Sequence, residues 1–536
     1  MRRAQLPRPV TVLAAAVALT LTVVLVVALP RGGDSAAHLY RTGLVRDGAL
    51  LWDTHWYGGH YPLAGYSGLY YPLAALVGNV PLAVAAAALA AALFASIAVR
   101  AWGEAGRWPA LAFALVAPAP VILGQWPYVA GLAAVLGAIR ALQARRTLLA
   151  LLAAAVALSL SPLAFGLLAV ALAGIALVRP RPVRSRLVVG AGLAALAAAQ
   201  LVVLSVFPAA QEFVFPAEQL PLALGAAVPV AALALWRMPR DPLAAVLGVW
   251  VAAILVAFVA PLPLGENVTR PRWLLFPLAL AVVLRVGFRP RWLAGLALAA
   301  ALVANAVPYA SFVRGAPLSR EHDEVFWAPL VAFLDEHGSP EHRVEVVPTA
   351  SNWEALYVPR AGHPLARGWF RQLDLARNDV LYEEPLDPAA YHRWLRANAV
   401  RHVALPRIRL DQRGAEPEAR LLASGASGLR PVLETGDWTV YELPDATPLL
   451  TGPGPAVVTA HDHDGIVGRV SSHGTYRLRV RFTPFWHVAE GDACLLRAQD
   501  GNTLLRFAEP GRFALGVRGG LREAAGAVTR RPPAAC

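Results

Sequence analysis

The stretch "LPRGGDSAAHLYRTGL", Leu29 to Leu44, puts Asp34 within four residues of the end of the first long apolar run and His38 four positions later. On a helix that spacing sets a carboxylate and an imidazole on one face, a pair able to take and pass protons. The same letters also suit an ordinary helix start, because "DSAA" is a fair capping sequence. A second acid, Asp53, stands in "LWDTHWYGGH". "HDHD" at 461–464 has metal-ligating residue types, but Asp464-Gly465 ends it, and Asp-Gly marks a solvated hairpin turn. No Walker A loop, Rossmann fingerprint or Ser-His-Asp signature is present.

The elements that must position these groups follow from composition. The chain has 536 residues, 57% of them hydrophobic and only 15% charged. A water-soluble domain carries roughly a quarter charged residues, so the solvent implied for much of this chain is the bilayer. The net charge of +13 does not point to nucleic acid, because the arginines sit in short clusters between apolar runs. Every basic residue is arginine, a usage that resembles high-GC bacterial chains. Cys494 and Cys536 form neither a zinc spacing nor a disulfide framework. The apolar run Val10–Leu29 behind "MRRAQLPRP" is too long for a signal-peptide core and reads as an uncleaved first helix.

The chain divides near residue 310. Before it, apolar runs alternate with arginine-bearing loops; after it, no run reaches spanning length, and ten of the 13 histidines lie there. About 11 spans are expected, at roughly 10–30, 73–99, 108–123, 127–140, 147–161, 163–178, 187–207, 221–236, 242–260, 273–286 and 292–308. With the N-terminus inside, 17 arginines fall inside and five outside, as the positive-inside rule requires. Two uncharged intervals of 32 residues, Arg107 to Arg140 and Arg146 to Arg179, would each make a helix about 48 Å long, too long for one crossing. Each carries a break, "GQWP" and "SLSPLAFG", which protein must cover because lipid cannot satisfy bare backbone.

An odd number of spans puts the C-terminal part outside. The expected fold is a polytopic α-helical membrane protein with an extracytoplasmic α/β plus β-sandwich region. Its parts are a transmembrane module 1–308, an α/β domain 309–447, a β-sandwich-like domain 448–522 and a disordered tail 523–536. Of the eight acids in the membrane half, six fall outside (Asp34, Asp47, Asp53, Glu212, Glu218 and Glu266) and none lies within a span. An ion-coupled carrier needs an ionisable group at mid-membrane, so chemistry is expected at the outer face. The first outer loop, about 31–72, is the longest of that half; "SAAHLYRTGLVRDG" in it reads as a helix lying along the interface.

On "GGDSAAHLYR", "WYGGHYPLAGYSGLYYPL" and "ARGWFRQLD", the chain resembles the GT-C class of integral-membrane glycosyltransferases. It is more specifically similar to actinobacterial membrane proteins labelled "6-pyruvoyl-tetrahydropterin synthase-related". That label implies no pterin chemistry here, since the sequence has no soluble synthase domain and no zinc-binding histidine cluster.

The resemblance implies sugar transfer from a polyprenyl-phosphate donor to a cell-wall glycan or glycolipid acceptor on the outer face of the bacterial cytoplasmic membrane. The acceptor hydroxyl needs a general base, and Asp34 is the candidate. His38 would orient it or meet the phosphate, and Asp53 is the second acid candidate. Ser35 and Ala36 follow Asp34 where many GT-C enzymes carry a second acid, so no metal is indicated. Arg270 and Arg272 in "GENVTRPRW" suit the donor phosphate, or lipid headgroups. Trp52, Trp56 and Tyr57, with Tyr61, Tyr66, Tyr70 and Tyr71, would stack on sugar or, the favoured reading, form an interfacial aromatic belt. Arg367, Trp369, Arg371 and Asp374 would grip carbohydrate or pack against the membrane module. The rival readings are a lipid-linked-sugar flippase and a non-catalytic scaffold of the same fold; membrane lipid is a partner in all three.

Overall fold

The computed structural model describes residues 8–178, 183–208, 215–260, 262, 264–315 and 320–529. They divide into two compact units. One holds the described residues of Met1–Ser35, Tyr66–Leu201 and Glu212–Leu318, the other those of Ala36–Gly65, Val202–Gln211 and Ser319–Cys536. The middle of the first loop, 36–65, therefore folds with the C-terminal half. Glu212 and Cys536 lie outside the described residues.

The first unit is helical, and every segment expected to span is a helix. Among the described residues, six stretches are long and apolar enough to cross a membrane: Pro9–Ala28, Asn79–Ile122, Arg184–Val206, Gln219–Arg237, Pro242–Val259 and Arg291–Gly315. Thr147–Leu160 and Pro162–Val178 are apolar but shorter. Asn79–Ile122 is interrupted by the tight turn Gly103–Gly106. Gly106 lies so close to the preceding helix that a Cβ there would meet the Ala98 carbonyl oxygen at 2.4 Å. Val27, Leu148, Leu177 and Val259 are all at least 73% exposed, a pattern that suits lipid rather than water. Small residues bring the helices together. A Cβ on Gly174 would lie 2.6 Å from the Val246 backbone, and one on Gly131 would lie 2.8 Å from Ala164. Between apolar helices in lipid, this close packing replaces the hydrophobic driving force.

Both expected breaks are covered by protein. At the first, Gly32 N–H donates to the Ile122 carbonyl at 3.0 Å, and the Trp126 indole donates to Val121 O at 2.8 Å. At the second, Ser161 is extended, the Ser67 hydroxyl donates to Leu160 O at 2.7 Å, and Leu69 N–H donates to Ser159 O at 3.0 Å.

The second unit holds three four-stranded sheets. In the first, β1 (Arg343–Val346) runs parallel to β2 (Val400–Pro406), which pairs antiparallel with β4 (Trp438–Glu442), itself paired with β3 (Arg430–Glu434). Helices Glu324–His337 and Pro388–Ala397 flank it, started by the carboxylates of Asp323 and Asp387 accepting from backbone N–H groups. The other two sheets run in the orders β10-β11-β8-β5 and β6-β7-β12-β9. Their strands are β5 (Leu450–Thr451), β6 (Ala456–His461), β7 (Gly465–Val470), β8 (Gly474–Arg481), β9 (Trp486–Glu490), β10 (Ala493–Arg497), β11 (Asn502–Phe507) and β12 (Gly511–Val517). Alternate residues of the two sheets, such as Tyr476 and Leu478 against Ile466 and Phe513, share one core, so the pair is a sandwich.

Three expectations change here. Helix Asp34–Asp47 does not lie along an interface: from Ala36 onward its Ala36, Ala37, Tyr40 and Leu44 are buried with Phe326, Trp327 and Trp438. The aromatics form no belt. Trp56 and Tyr57 belong to that same core, and Trp52 and Tyr61 to the sandwich core. Tyr70 and Tyr71 are fully buried in the helical unit, and Tyr66 is half-buried. The tail begins with a helix, Leu521–Thr529, whose Ala524 and Ala527 pack on the sandwich; 530–536 lie outside the described residues.

Trp56 stacks between Tyr40 and His60, at ring distances of 4.5 Å and 5.1 Å, and its indole donates to Ala355 O at 3.0 Å. Trp56→Ala should therefore cost about 3–5 kcal/mol, the range for a buried aromatic. Denaturant unfolding of the detergent-solubilised chain reads this, and an unchanged midpoint would return Trp56 to the surface.

Candidate functional site

In the helical unit, "RGGDS" is seated backbone against backbone on "ILGQ". A Cβ on Gly32 would meet Ile122 O at 2.7 Å, and one on Gly124, which has φ +79°, would meet Ser35 N at 2.6 Å. Only glycine tolerates both contacts and the left-handed turn. The seat fixes Asp34, which starts helix Asp34–Asp47.

Asp34 lines a cavity of about 610 Å³ together with Gln125, Glu266, Asn267, Arg270 and Arg272; its apolar walls come from helices Gln219–Arg237 and Arg291–Gly315. The Arg270 guanidinium lies 3.6 Å from the Asp34 carboxylate and donates to Asn267 Oδ1 at 2.9 Å. The short helix Gly265–Thr269 that carries Asn267 is held by Trp250, whose indole donates to Val268 O at 2.9 Å. Gln125 is fixed by the Trp273 indole at 3.1 Å. Arg272 Nε is buried and has no hydrogen-bond partner among the described residues. Burial raises the Asp34 carboxyl above its usual range, and Arg270 opposes that shift. A carboxylate with a raised pKa is a stronger proton acceptor than a free one, and Arg270 beside it with Arg272 in the same cavity suits an anion.

Asp53 and His38 belong to the other unit. His38 is fully buried, its ring 6.4 Å from Trp369. Asp53 closes a tight loop: it forms an antiparallel bridge with His60, with backbone bonds of 3.0 Å and 2.9 Å, across the left-handed turn Tyr57, Gly58 and Gly59. A Cβ on Gly59 would strike the Trp52 ring at 2.3 Å.

The fully buried Asp53 carboxylate accepts from the Tyr40 hydroxyl at 3.0 Å and lies 3.2 Å from His463 Nδ1 and 3.3 Å from His60 Nδ1. Burial works against its ionisation, yet the His463 hydrogen bond and the surrounding imidazoles hold its pKa below the usual range. Burial pushes His55 and His60 down to about 4, and it lowers His461 as well. Burial also works against the His463 cation, but its bond to Asp53 raises it above the ordinary value.

"HDHD" does form the β6–β7 turn, with Asp462 N–H donating to Gly465 O at 2.9 Å. It is not solvated on the histidine side, because His461 is buried and His463 contacts Asp53. The sequence shows no histidine cluster, yet Asp53, His55 and His463 gather here across a separation of 410 positions. The only local signal was that both segments are rich in histidine and aspartate.

Arg367 and Asp374 are buried and bonded to each other, and Arg367 also faces Glu345 and Glu418 at 3.6 Å and 3.5 Å. Arg371 pairs with Asp411, and Trp369 is half-buried, 5.5 Å from Phe370. This group holds the α/β sheet's helices together, and buried carboxylates already occupy Arg367. The resemblance did not forecast Gln125, Glu266 or Asn267 beside Asp34, since polar residues in loops carry no spacing signal.

No protein-family model matches the chain, and no curated protein does. The class is therefore given by geometry: a helical unit with spanning-length apolar helices and a largely apolar cavity that holds Asp34 and Arg270, and a β-rich unit built partly from the first loop.

Gly32→Ala and Gly124→Ala should each lower stability by more than about 1 kcal/mol, because the native backbone cannot admit the methyl. Gly43→Ala, with nothing within 4 Å of the added Cβ, should not. Thermal unfolding of the three variants compares them, and equal midpoints would mean that the two turns do not touch.

Proposed function

We propose that the protein is a GT-C-like membrane glycosyltransferase that moves a sugar from a polyprenyl-phosphate donor to a cell-envelope acceptor. In this reading it has about 11 spans, the N-terminus in the cytoplasm and the β-rich unit outside. The observation that carries the reading is the cavity in which Asp34 meets Arg270 at 3.6 Å beside the unsatisfied Arg272 Nε, within walls that are largely apolar.

Each part answers a need of the reaction. The acceptor hydroxyl loses its proton to the Asp34 carboxylate as its oxygen attacks the anomeric carbon. The bond to the donor phosphate breaks, and the charge left on that phosphate is taken up by Arg270 and Arg272. In this reading the apolar walls admit the prenyl chain, and Asn267 and Glu266 in the cavity lining read sugar hydroxyls. His38 and Asp53 have no part in this cavity.

Transfer from a labelled polyprenyl-phosphate sugar should fall about 10²–10⁴-fold in Asp34→Asn, the usual contribution of a general base. Equal transfer by the two chains would remove Asp34 from the reaction, and no transfer by the wild type would remove the enzyme reading altogether.

The acid limb of the pH profile has a defined sign. Activity needs ionised Asp34 and so falls as pH drops through its pKa, which burial places above 3.8. Arg270→Ala removes the opposing positive charge, so the limb of the residual activity should move to higher pH. A limb that stays put or moves down would separate Arg270 from Asp34.

A further inference from the structure

We infer that the β-rich unit binds a zinc-class divalent cation through Asp53, His55 and His463, and that this ion staples the 53–60 loop to the β6–β7 turn.

One donor atom from each of the three side chains lies within 4.8 Å of the other two. Around a zinc ion with bonds of about 2.0–2.2 Å, neighbouring donors stand roughly 3.3–3.6 Å apart, and Asp53 Oδ1 to His463 Nδ1 is already 3.2 Å. Two imidazoles and one carboxylate are borderline donors that favour zinc-class ions over magnesium or calcium.

Side chains and backbone around the three donors hold them in place. Tyr40 Oη is 3.0 Å from both Asp53 oxygens and 3.3 Å from His463 Nδ1, so it either orients the carboxylate or supplies a fourth oxygen. Thr54 ties the two segments through its backbone N–H to His463 O at 2.7 Å and its hydroxyl to Asp462 O at 2.8 Å. Outer contacts of this kind fix the orientation of metal ligands.

A plain Asp-His pair explains less. One imidazole is enough to pair a carboxylate, yet His55, His60 and His463 all surround this one. In the same cluster, His60 Nε2 and His461 Nδ1 are buried without a hydrogen-bond partner among the described residues. A dication balances the buried carboxylate and turns the crowding of neutral imidazoles into coordination.

The test uses the full chain in detergent, stripped with a chelator and then titrated with Zn²⁺ and, separately, Co²⁺. About one equivalent of zinc should bind per chain, raise the thermal midpoint, and be replaceable by cobalt with visible d–d absorption bands. His463→Ala and His55→Ala should lose the cobalt bands and the zinc-induced rise in midpoint. His473→Ala, an exposed histidine outside the cluster, should keep both. Because the wild-type titration needs no variant, a misfolded mutant cannot decide the outcome. A wild type that takes up neither ion overturns the inference. So does cobalt absorption that survives in His463→Ala and His55→Ala.

Discussion

A helix that breaks inside an apolar bundle leaves carbonyl and N–H groups that lipid cannot satisfy, and the helical unit is arranged around this constraint. The break before Trp126 is closed by Gly32, and the break at Ser161 by Ser67 and Leu69. Those closing residues flank the first loop, so both of its ends are pinned by backbone hydrogen bonds within the helical unit. The residues between them, 36–65, supply core to the other unit. The glycines of "RGGDS" and "ILGQ" follow from the same demand, since carbonyl-to-amide contact leaves no room for a Cβ.

The two acids of that loop show how surroundings give one residue type two chemistries. Asp34 faces a guanidinium and is partly exposed in a cavity, where burial raises its pKa and the arginine restrains the rise. Asp53 is fully buried, but imidazoles and a tyrosine hydroxyl keep it ionised. The first setting suits a group that exchanges protons with a ligand. The second suits a fixed negative charge that organises its neighbours.

Much of the fold was legible in the sequence because its signals are local. Charge-free runs between arginine clusters marked the helices, and the breaks at "GQWP" and "SLSPLAFG" fell where the helices stop. Alternation in "YRLRVRF" announced a sandwich strand. Asp34 and Arg270 were singled out separately in the sequence, as base candidate and phosphate ligand, and they lie 3.6 Å apart. The aromatics misled because Trp and Tyr are equally at home in a membrane interface and in a domain core. Trp56 and Tyr57 reach the core only because the loop that carries them folds into the β-rich unit. Arg367 and Asp374 misled for a related reason, since a charged motif does not reveal whether its partners are ligands or each other.

By itself the sequence determined which segments are helices or strands, where the helices break, and that an acid stands just past the first of them. Hydrophobic period, charge clustering and turn residues act over a few positions, and a single chain displays them openly. Tertiary structure alone decided that Asp53 meets His463 across 410 positions, that the first loop is core, and that Arg367 is occupied. Those outcomes rest on burial and on distances between remote segments, which exist only once the chain has closed on itself.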